Sequence, residues 1–521
     1  METLGLNAPD GNVASPVSGD QVNLLRETEA ALEAKIAQLG SHSNLPPLVV
    51  DLDGTLTVTD TLIESLIQVI KRSPLNLFML VFMLMRGRAA FKAWVAMHSS
   101  INVSILPFRR DLVSFLETEK ARGRRLILAT AAHRSTADKV FAHFPFFDAC
   151  ISTDGETNLK GVNKLAAIKR IAGSDFVYAG DSAADLDVWR EAHGAVLVGA
   201  SATVAKKAAR LTQVERVFPR ERSHPRVWLK ALRVHQWLKN VLLFVPLLTA
   251  FSFFSVSDVL AVATAFLSFS MAASATYIAN DLWDLETDRQ HPRKRLRPFA
   301  SGALSIPQGV AAAVLLLSSA LVIAGLVSKP FLMFLLLYVV VTTAYSFVLK
   351  TYMLLDVLVL SLLYTLRILA GTAALNLPTS QWLLAFSMFV FLSLALVKRC
   401  SELVGMKSET RRSSAGRDYH VDDLATLMPM GVGTAACSIV VFGLFIHSPE
   451  TQARYLTPAM LWVTAFFLCY WLFRLWIKTG RGEMHDDPVV YAMVDRGSRL
   501  TVTGIAATML LARFVSLDFT G

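Results

Sequence analysis

The sequence predicts two folds in one chain: an α/β domain with a parallel sheet and a helical cap, then an all-α polytopic membrane bundle of about nine helices. Three observations carry this. Of 521 residues, 53% are apolar and 18% charged, below the quarter that soluble globular proteins carry. Charge is uneven: residues 1–225 hold 26 Lys+Arg against 24 Asp+Glu (+2), and residues 226–521 hold 25 against 17 (+8). The pattern also changes after the polar stretch Pro219–Pro225, from short apolar runs to apolar segments of roughly 17–23 residues, the length that crosses a bilayer. A disordered, fibrous or purely soluble protein is excluded. So is a disulfide framework or zinc site, because Cys150, Cys400, Cys437 and Cys469 are scattered. Basicity confined to the membrane half gives no reason to expect nucleic acid.

Four segments are expected: a polar N-terminal segment with a helix at 1–45, the α/β domain at 46–215, a linker at 216–229 and the membrane domain at 230–521. Residues 1–20 lack the basic and apolar stretches of a secretory signal, so the N-terminus is expected in the cytoplasm. Leu and Ala at helical spacing from Gln21 to Leu39 predict a surface helix. Leu48-Val49-Val50 predicts a buried strand leading into Asp51-Leu52-Asp53-Gly54-Thr55. Leu126–Ala129 predicts another ending at Thr130, and Phe176–Ala179 a third ending at Gly180-Asp181. Helical stretches between them imply a parallel sheet. Polar residues bunch at the strand C-terminal ends, where such sheets hold ligands. Residues 75–85 are apolar but too short to span, and Arg86, Arg88 and Lys92 follow. Two readings stay open for them: a helix packed inside a cap, or a cap face that docks on the membrane.

Two carboxylates and free amides at a strand end fit phosphoryl transfer. An EF-hand loop needs glycine at its sixth position, and Gly54 is the fourth. One Asp can attack phosphorus, and a second two residues on can protonate the leaving oxygen and later deprotonate water. Asp51 and Asp181 offer the hard oxygens Mg²⁺ takes. Thr130, and Lys164 in Gly161-Val-Asn-Lys164, can bind the transferring oxygens. With Gly180-Asp181-Ser182-x-x-Asp185, these residues resemble in order the four motifs of the haloacid dehalogenase (HAD) phosphatase superfamily, over residues 46–200. The resemblance implies Asp51 as nucleophile, Asp53 as acid/base, Asp181 as metal ligand and Asp185 in support. It also implies a helical cap between the first two motifs.

The nine expected spans lie near 238–254, 259–279, 308–328, 331–349, 353–374, 381–397, 427–446, 457–477 and 500–517. Loops after the even-numbered spans hold 5, 1, 6 and 4 Lys/Arg, sixteen in all, against two (Lys329 and Arg454) on the other side. That asymmetry places the α/β domain, Arg226–Lys239 and the even loops on the cytoplasmic side of an inner (plasma) membrane. An odd count leaves the C-terminus outside.

The second span ends in Tyr277-Ile-Ala-Asn280-Asp281-Leu-Trp-Asp284-Leu-Glu-Thr-Asp288-Arg289. If the helix continues, Asp281, Asp284 and Asp288 share one face, with Asn280 near it. Carboxylates gathered at a span end are costly unless cations neutralise them. Mg²⁺ holding a diphosphate is the functional reading and a solvated loop helix the plainer one. Tyr345, Lys350 and Asp356 flank the turn between spans four and five, and Arg367 lies inside span five, where an inward orientation is expected. Lys398, Arg399, Glu402, Arg411, Arg412, Arg417, Asp418, Asp422 and Asp423 follow span six. Lys478, Arg481, Asp486, Asp487, Arg496 and Arg499 follow span eight. Basic residues interspersed with acids suit a phosphate-rich substrate.

Nine spans with Asn-Asp-x-x-Asp-x-x-x-Asp after the second resemble the UbiA superfamily of intramembrane prenyltransferases, over about residues 226–521. Within it, Arg233-Val-His-Gln236-Trp237-Leu-Lys239-Asn240, the Tyr345…Lys350…Asp356…Arg367 run and Lys398-Arg399-x-x-Glu402-Leu403 are most similar to the decaprenyl-phosphate phosphoribosyltransferases. This implies transfer from phosphoribosyl diphosphate to a polyprenyl phosphate, with Mg²⁺ on the carboxylates. Asn280, Asp281, Asp284 and Asp288 would form the metal–diphosphate site. Lys239, Tyr345, Lys350, Asp356, Arg367, Lys398, Arg399 and Glu402 would bind substrate. The fused phosphatase would then remove the product's 5-phosphate on the same side. An aromatic prenyltransferase using a prenyl diphosphate is the alternative, with Asp418-x-x-x-Asp422 as second motif, although Asp423-Leu-Ala-Thr departs from that motif. A transporter with a regulatory phosphatase is a third class. The segments lack inverted-repeat halves or paired Gly/Pro breaks to support it.

Overall fold

The computed structural model describes residues 45–516 except 74, 154–158, 160, 220–224, 409–416 and 485–486. The expected helix Gln21–Leu39, together with Arg411, Arg412 and Asp486, lies outside the described residues. Two compact units divide the chain, Met1–Arg222 and Ser223–Gly521.

The first unit holds a six-stranded parallel sheet in the order β3-β2-β1-β4-β5-β6. Its strands are β1 (Leu48–Val50), β2 (Leu126–His133), β3 (Ala149–Thr153), β4 (Val177–Gly180), β5 (Gly194–Val198) and β6 (Gln213–Phe218). Around them run α1 (Thr61–Arg72), α2 (Asn76–Met85), α3 (Arg88–His98), α4 (Arg110–Ala121), α5 (Arg134–His143), α6 (Val162–Ala172), α7 (Leu186–Trp189) and α8 (Ala202–Leu211). Alternate residues of one strand enter different cores, because successive side chains point to opposite faces. Leu48, Val50, Leu126, Leu128 and Val177 pack on one side, and Val49, Ile127, Ala129 and Tyr178 on the other. Burial on both faces explains why these strands read as unbroken apolar runs. From β1 the chain builds outward to β3, then returns to lay β4 on the other flank of β1. The crevice at that reversal lies between the ends of β1 and β4. Those ends carry Asp51 and Asp181. The helices α1–α3 form the cap, pinned by Val69, Leu80 and Val95.

The second unit is all-α. Its helices are α9 (Pro225–Ala231), α10 (Val245–Thr249), α11 (Val256–Trp283), α12 (Leu285–Gln290), α13 (Ile306–Val327), α14 (Lys329–Phe347), α15 (Leu355–Ala374), α16 (Gln381–Ser408), α17 (Leu424–Ile446), α18 (Pro449–Arg454), α19 (Leu461–Gly480), α20 (Pro488–Val494) and α21 (Arg496–Phe514). Among the described residues, seven stretches are long and apolar enough to cross a membrane: α11, α13–α17 and α19. The chain is an integral membrane protein.

Two of the nine expected spans are not among these seven. Segment 238–254 is no single helix. It winds as a 3-10 helix over Val234–Phe244, continues as the short α10 and turns at Phe251, whose φ is +58°. Polar bonds hold the 3-10 stretch against its neighbours: Trp237 Nε1 donates to Ser274 Oγ (2.9 Å) and Asn240 Nδ2 to Ser270 Oγ (3.0 Å). The expected span 500–517 begins inside α21, which ends at Phe514, carries Arg496, Arg499 and Arg513 and is less apolar than the other seven. It packs on α19 through polar pairs, Thr464 Oγ1 with Thr508 Oγ1 at 2.7 Å and Trp471 Nε1 with Ser498 Oγ at 3.1 Å.

Close approach of backbones needs small residues between membrane helices. A Cβ on Gly371 would stand 2.3 Å from the Leu243 carbonyl oxygen, so α15 and the 3-10 stretch meet backbone to backbone there. Gly371→Ala is expected to destabilise the detergent-solubilised protein by about 1–3 kcal/mol, read as a lower thermal midpoint. Gly325→Ala should leave the midpoint unchanged, since its Cβ would meet nothing nearer than Leu332 Cδ2 at 4.0 Å.

Candidate active sites

In the α/β unit, β1 releases Asp51 beside β4, where its N–H donates to the Ala179 carbonyl at 3.0 Å. Asp51 Oδ1 accepts from Leu52 N (2.8 Å) and pairs with Lys164 Nζ (2.8 Å), which the first turn of α6 brings in. Lys164 also donates to the Tyr178 hydroxyl (2.6 Å), which donates to Asp185 Oδ1 (2.9 Å). The other Asp185 oxygen accepts from Ser182 N (3.0 Å), Ser182 Oγ (3.1 Å) and Asp181 N (3.2 Å), which shapes the loop that presents Asp181. Gly54 is required here: its φ is +79°, and a Cβ would lie 2.4 Å from Asp181 Oδ2. Asp53 Oδ1 accepts from Thr61 N at 2.8 Å. Thr130 is buried, and its Oγ1 accepts from Ala132 N at 2.9 Å.

Crowding sets the electrostatics. Burial, with the Asp60 and Asp51 carboxylates adding, holds Asp53 up to about 7. Burial and then repulsion from Asp185 and Asp51 also push Asp181 up to about 7. Burial raises Asp51 as well, against the pull of Lys164. One oxygen each of Asp51, Asp181 and Asp185 lies within 4.8 Å of the others. The Thr55 hydroxyl, in the same loop, is buried without a hydrogen-bond partner. Three converging carboxylates and an orphaned hydroxyl fit a hard divalent cation with a phosphoryl group. Arg109, whose Nη2 donates to the Gly54 carbonyl at 3.2 Å, is a further cation that no motif announced. Tyr178 was missed too, because inside an apolar strand it reads as core.

In the membrane unit a cavity of about 1280 Å³ is lined by Lys239, Asn280, Asp284, Tyr345, Lys350, Arg367, Lys398 and Glu402, all expected site residues. The helical path continues through Asp284 with only a local distortion, since Asp284 N donates to the Asn280 carbonyl (2.9 Å) and Asp288 N to the Asp284 carbonyl (2.8 Å). Asp284 ends α11 and opens α12, with φ −86° and ψ 11°. Of the three carboxylates only Asp284 lines the cavity, with Asn280 Nδ2 at 3.2 Å and Lys350 Nζ at 3.9 Å. Asp281 and Asp288 are buried and share Arg297 Nη1 (3.1 and 2.6 Å), while Arg233 adds a bond to Asp281 at 2.5 Å. Among the described residues, no group of three carboxylates that could hold a metal forms there. Arg367 turns inward as expected: Nε donates to Asn240 Oδ1 (3.0 Å) and Nη2 to the Tyr338 hydroxyl (3.3 Å).

A second polar group was not assembled from the sequence. Asp487 receives Lys239 Nζ (2.6 Å), Lys398 Nζ (3.5 Å) and the Tyr364 hydroxyl (3.3 Å). Asp356 and Arg399 do not line the cavity; they form a buried ion pair. The Tyr419 hydroxyl donates to Asp356 (2.5 Å) and accepts from Leu354 N (2.9 Å), which steadies the turn where Leu354 takes φ +62°. Arg399 also pairs with Glu402, which Arg417 bonds at 3.0 Å.

Two outcomes test these assignments. Tyr178→Phe should lower phosphatase turnover of a small aryl phosphate roughly 10–100-fold with KM little changed, because Lys164 and Asp185 lose their shared partner. Asp356→Ala takes from the buried Arg399 its one buried counter-ion among the described residues, leaving only the more exposed Glu402, and should cost about 3–5 kcal/mol. The double variant Asp356→Leu/Arg399→Met should recover most of the lost thermal midpoint.

Residues 48–190 match the model of the haloacid dehalogenase-like hydrolases, and residues 241–494 that of the UbiA prenyltransferase family. The chain is 38% identical over 482 residues to the protein y4nM of Sinorhizobium fredii, covering 92% of this chain and 93% of that one. It is 34% identical over 292 residues to the nodulation protein NoeC of Azorhizobium caulinodans, with 55% and 93% covered. To the decaprenyl-phosphate phosphoribosyltransferase of Corynebacterium glutamicum it is 36% identical over 230 residues, with 43% and 69% covered. This chain is therefore an enzyme of the UbiA prenyltransferase family, with a haloacid dehalogenase-like hydrolase domain preceding its membrane-spanning half.

Proposed function

We propose that the membrane unit transfers 5-phosphoribose from phosphoribosyl diphosphate to a polyprenyl phosphate, and that the hydrolase unit removes the product's 5-phosphate. Both steps are assigned to the cytoplasmic face of an inner membrane. The cavity's charge carries this reading. Ten Lys/Arg line it against Asp284, Glu402 and Asp487, and with Arg233 and Arg297 matched by the buried Asp281 and Asp288 an excess of five cations remains. Such an excess suits two phosphate-bearing substrates better than a prenyl diphosphate with a neutral aromatic ring. Two separate polar groups, around Asp284 and around Asp487, match a donor and an acceptor that both carry phosphate. The relative named as a decaprenyl-phosphate phosphoribosyltransferase supports the same pairing.

In the transfer, a polyprenyl phosphate oxygen bonds to the ribose anomeric carbon while its bond to diphosphate breaks. Lys350 and the cations around the cavity hold the departing anion, and Lys239, Lys398 and Arg367 orient the attacking phosphate. In the hydrolysis, Asp51 attacks phosphorus, Asp53 protonates the departing ribose oxygen, and Asp53 then takes a proton from the water that splits the aspartyl phosphate. Mg²⁺ held by Asp51 and Asp181, and at the membrane site by Asp284 with Asn280 and diphosphate oxygens, would neutralise charge on the transferring groups.

Purified protein given labelled phosphoribosyl diphosphate and a polyprenyl phosphate should yield a lipid-linked ribose. Asp284→Ala should cut transfer on the order of 100-fold. Asp51→Asn should leave transfer intact and accumulate the lipid-linked ribose 5-phosphate; unchanged dephosphorylation would remove the coupling. Prenylation of hydroxybenzoate with no lipid-linked ribose would establish the aromatic reading instead.

A further inference from the structure

The cap carries a surface that neither active site uses. Of the ten residues of α2, nine are apolar, and Leu77, Phe78, Met79, Val81, Phe82, Leu84 and Met85 are exposed, Phe78 at 76% and Met85 at 83%. Only Leu80 is buried. At about 100° per residue the exposed side chains sweep roughly 220° of the helix circumference. Helices that dock on a partner hide one apolar stripe and keep a polar face. Here the polar face is missing, so the geometry calls for a surrounding apolar medium. Ten residues are too few to span, which leaves the interfacial layer.

Charge names the same partner. From Ser65 to Phe108 there is no Asp or Glu, while Lys71, Arg72, Arg86 and Arg88 bracket the helix on both sides. The Arg86 guanidinium lies over the Phe82 ring, 4.8 Å from its centroid, at the border between apolar and basic surface. An apolar body with a basic collar is the make-up of segments that lie in an anionic bilayer surface. The cap also touches the site's surroundings, since Lys92 Nζ donates to the Ala131 carbonyl (3.0 Å), next to Thr130.

We propose that α2 is an interfacial membrane anchor, seated at the headgroup–acyl boundary of an anionic bilayer with its basic flanks on the lipid phosphates. The anchor holds the hydrolase cap at the lipid surface, whatever phosphate ester the site hydrolyses.

The test uses the full chain in nanodiscs of phosphatidylglycerol and phosphatidylcholine, with benzoylphenylalanine in place of Phe78 or, as control, of the exposed Glu117 on α4. Irradiation should give a phospholipid adduct at position 78, at least about tenfold above position 117. In phosphatidylcholine alone the yield should fall several-fold. Adducts from position 78 to protein, whether this chain or a second copy, or a lipid yield no higher than at 117, would overturn the anchor. A yield unchanged without phosphatidylglycerol would overturn the role given to the basic flanks.

Discussion

Charge in a low-dielectric interior must be paired, and the membrane unit is organised around that requirement. An ionised group there carries a large desolvation cost that only a close counter-ion and further hydrogen bonds offset. Most buried ionic residues described in this unit meet that condition, while Arg367 is held by the neutral Asn240 and Tyr338 instead. Asp281 and Asp288 share Arg297, Asp356 faces Arg399, and Asp487 takes Lys239. These pairs tie together segments that lie far apart in the chain: Lys239 and Asp487 are 248 positions apart. What is left unmatched is an excess of cations along the cavity wall. A packed membrane bundle with surplus positive charge facing a cavity is prepared for anions.

The α/β unit meets the opposite problem. Three carboxylates converge at the ends of β1 and β4 with Lys164 as the cation among them, and burial and mutual repulsion raise Asp51 and Asp181. A divalent cation and a phosphoryl group would relieve that crowding together, since the metal takes up the carboxylate charge and Lys164 faces phosphate oxygens. The strand reversal beside β1 is what makes the convergence possible. Had β4 been laid beyond β3, Asp181 would stand several strand widths from Asp51. Gly54 completes the arrangement, because the loop passes too near Asp181 for any side chain.

Legibility followed the range of the interactions. Strands β1, β2 and β4 were readable because each is a buried apolar run ending in a polar motif residue. β3, β5 and β6 end in no such residue and were passed over. Arg367 announced itself as a charge inside an apolar helix, and its inward orientation follows from cost alone. Asp284 was read together with Asp281 and Asp288 on one helical face, but Arg297 and Arg233 hold Asp281 and Asp288 in buried pairs while Asp284 lines the cavity. Arg297, only nine residues beyond Asp288, is in sequence simply one of the five basic residues of its loop; in the fold it neutralises two carboxylates.

By itself the sequence determined the two-part architecture, the gathering of acidic motif residues at strand ends and the basic character of the membrane half. Those depend on residue type, local period and short spacings, which the chain carries openly. Only the tertiary structure decided which ionisable residues face a cavity and which neutralise one another, because that depends on contacts between distant segments. It separated Asp284 from its two neighbours, brought Asp487 to Lys239, and withdrew Asp356 and Arg399 into a buried pair. It also left the cap helix exposed around more than half its girth, which an apolar ten-residue run does not reveal in sequence. Pairing energies act through space, and the chain order does not record them.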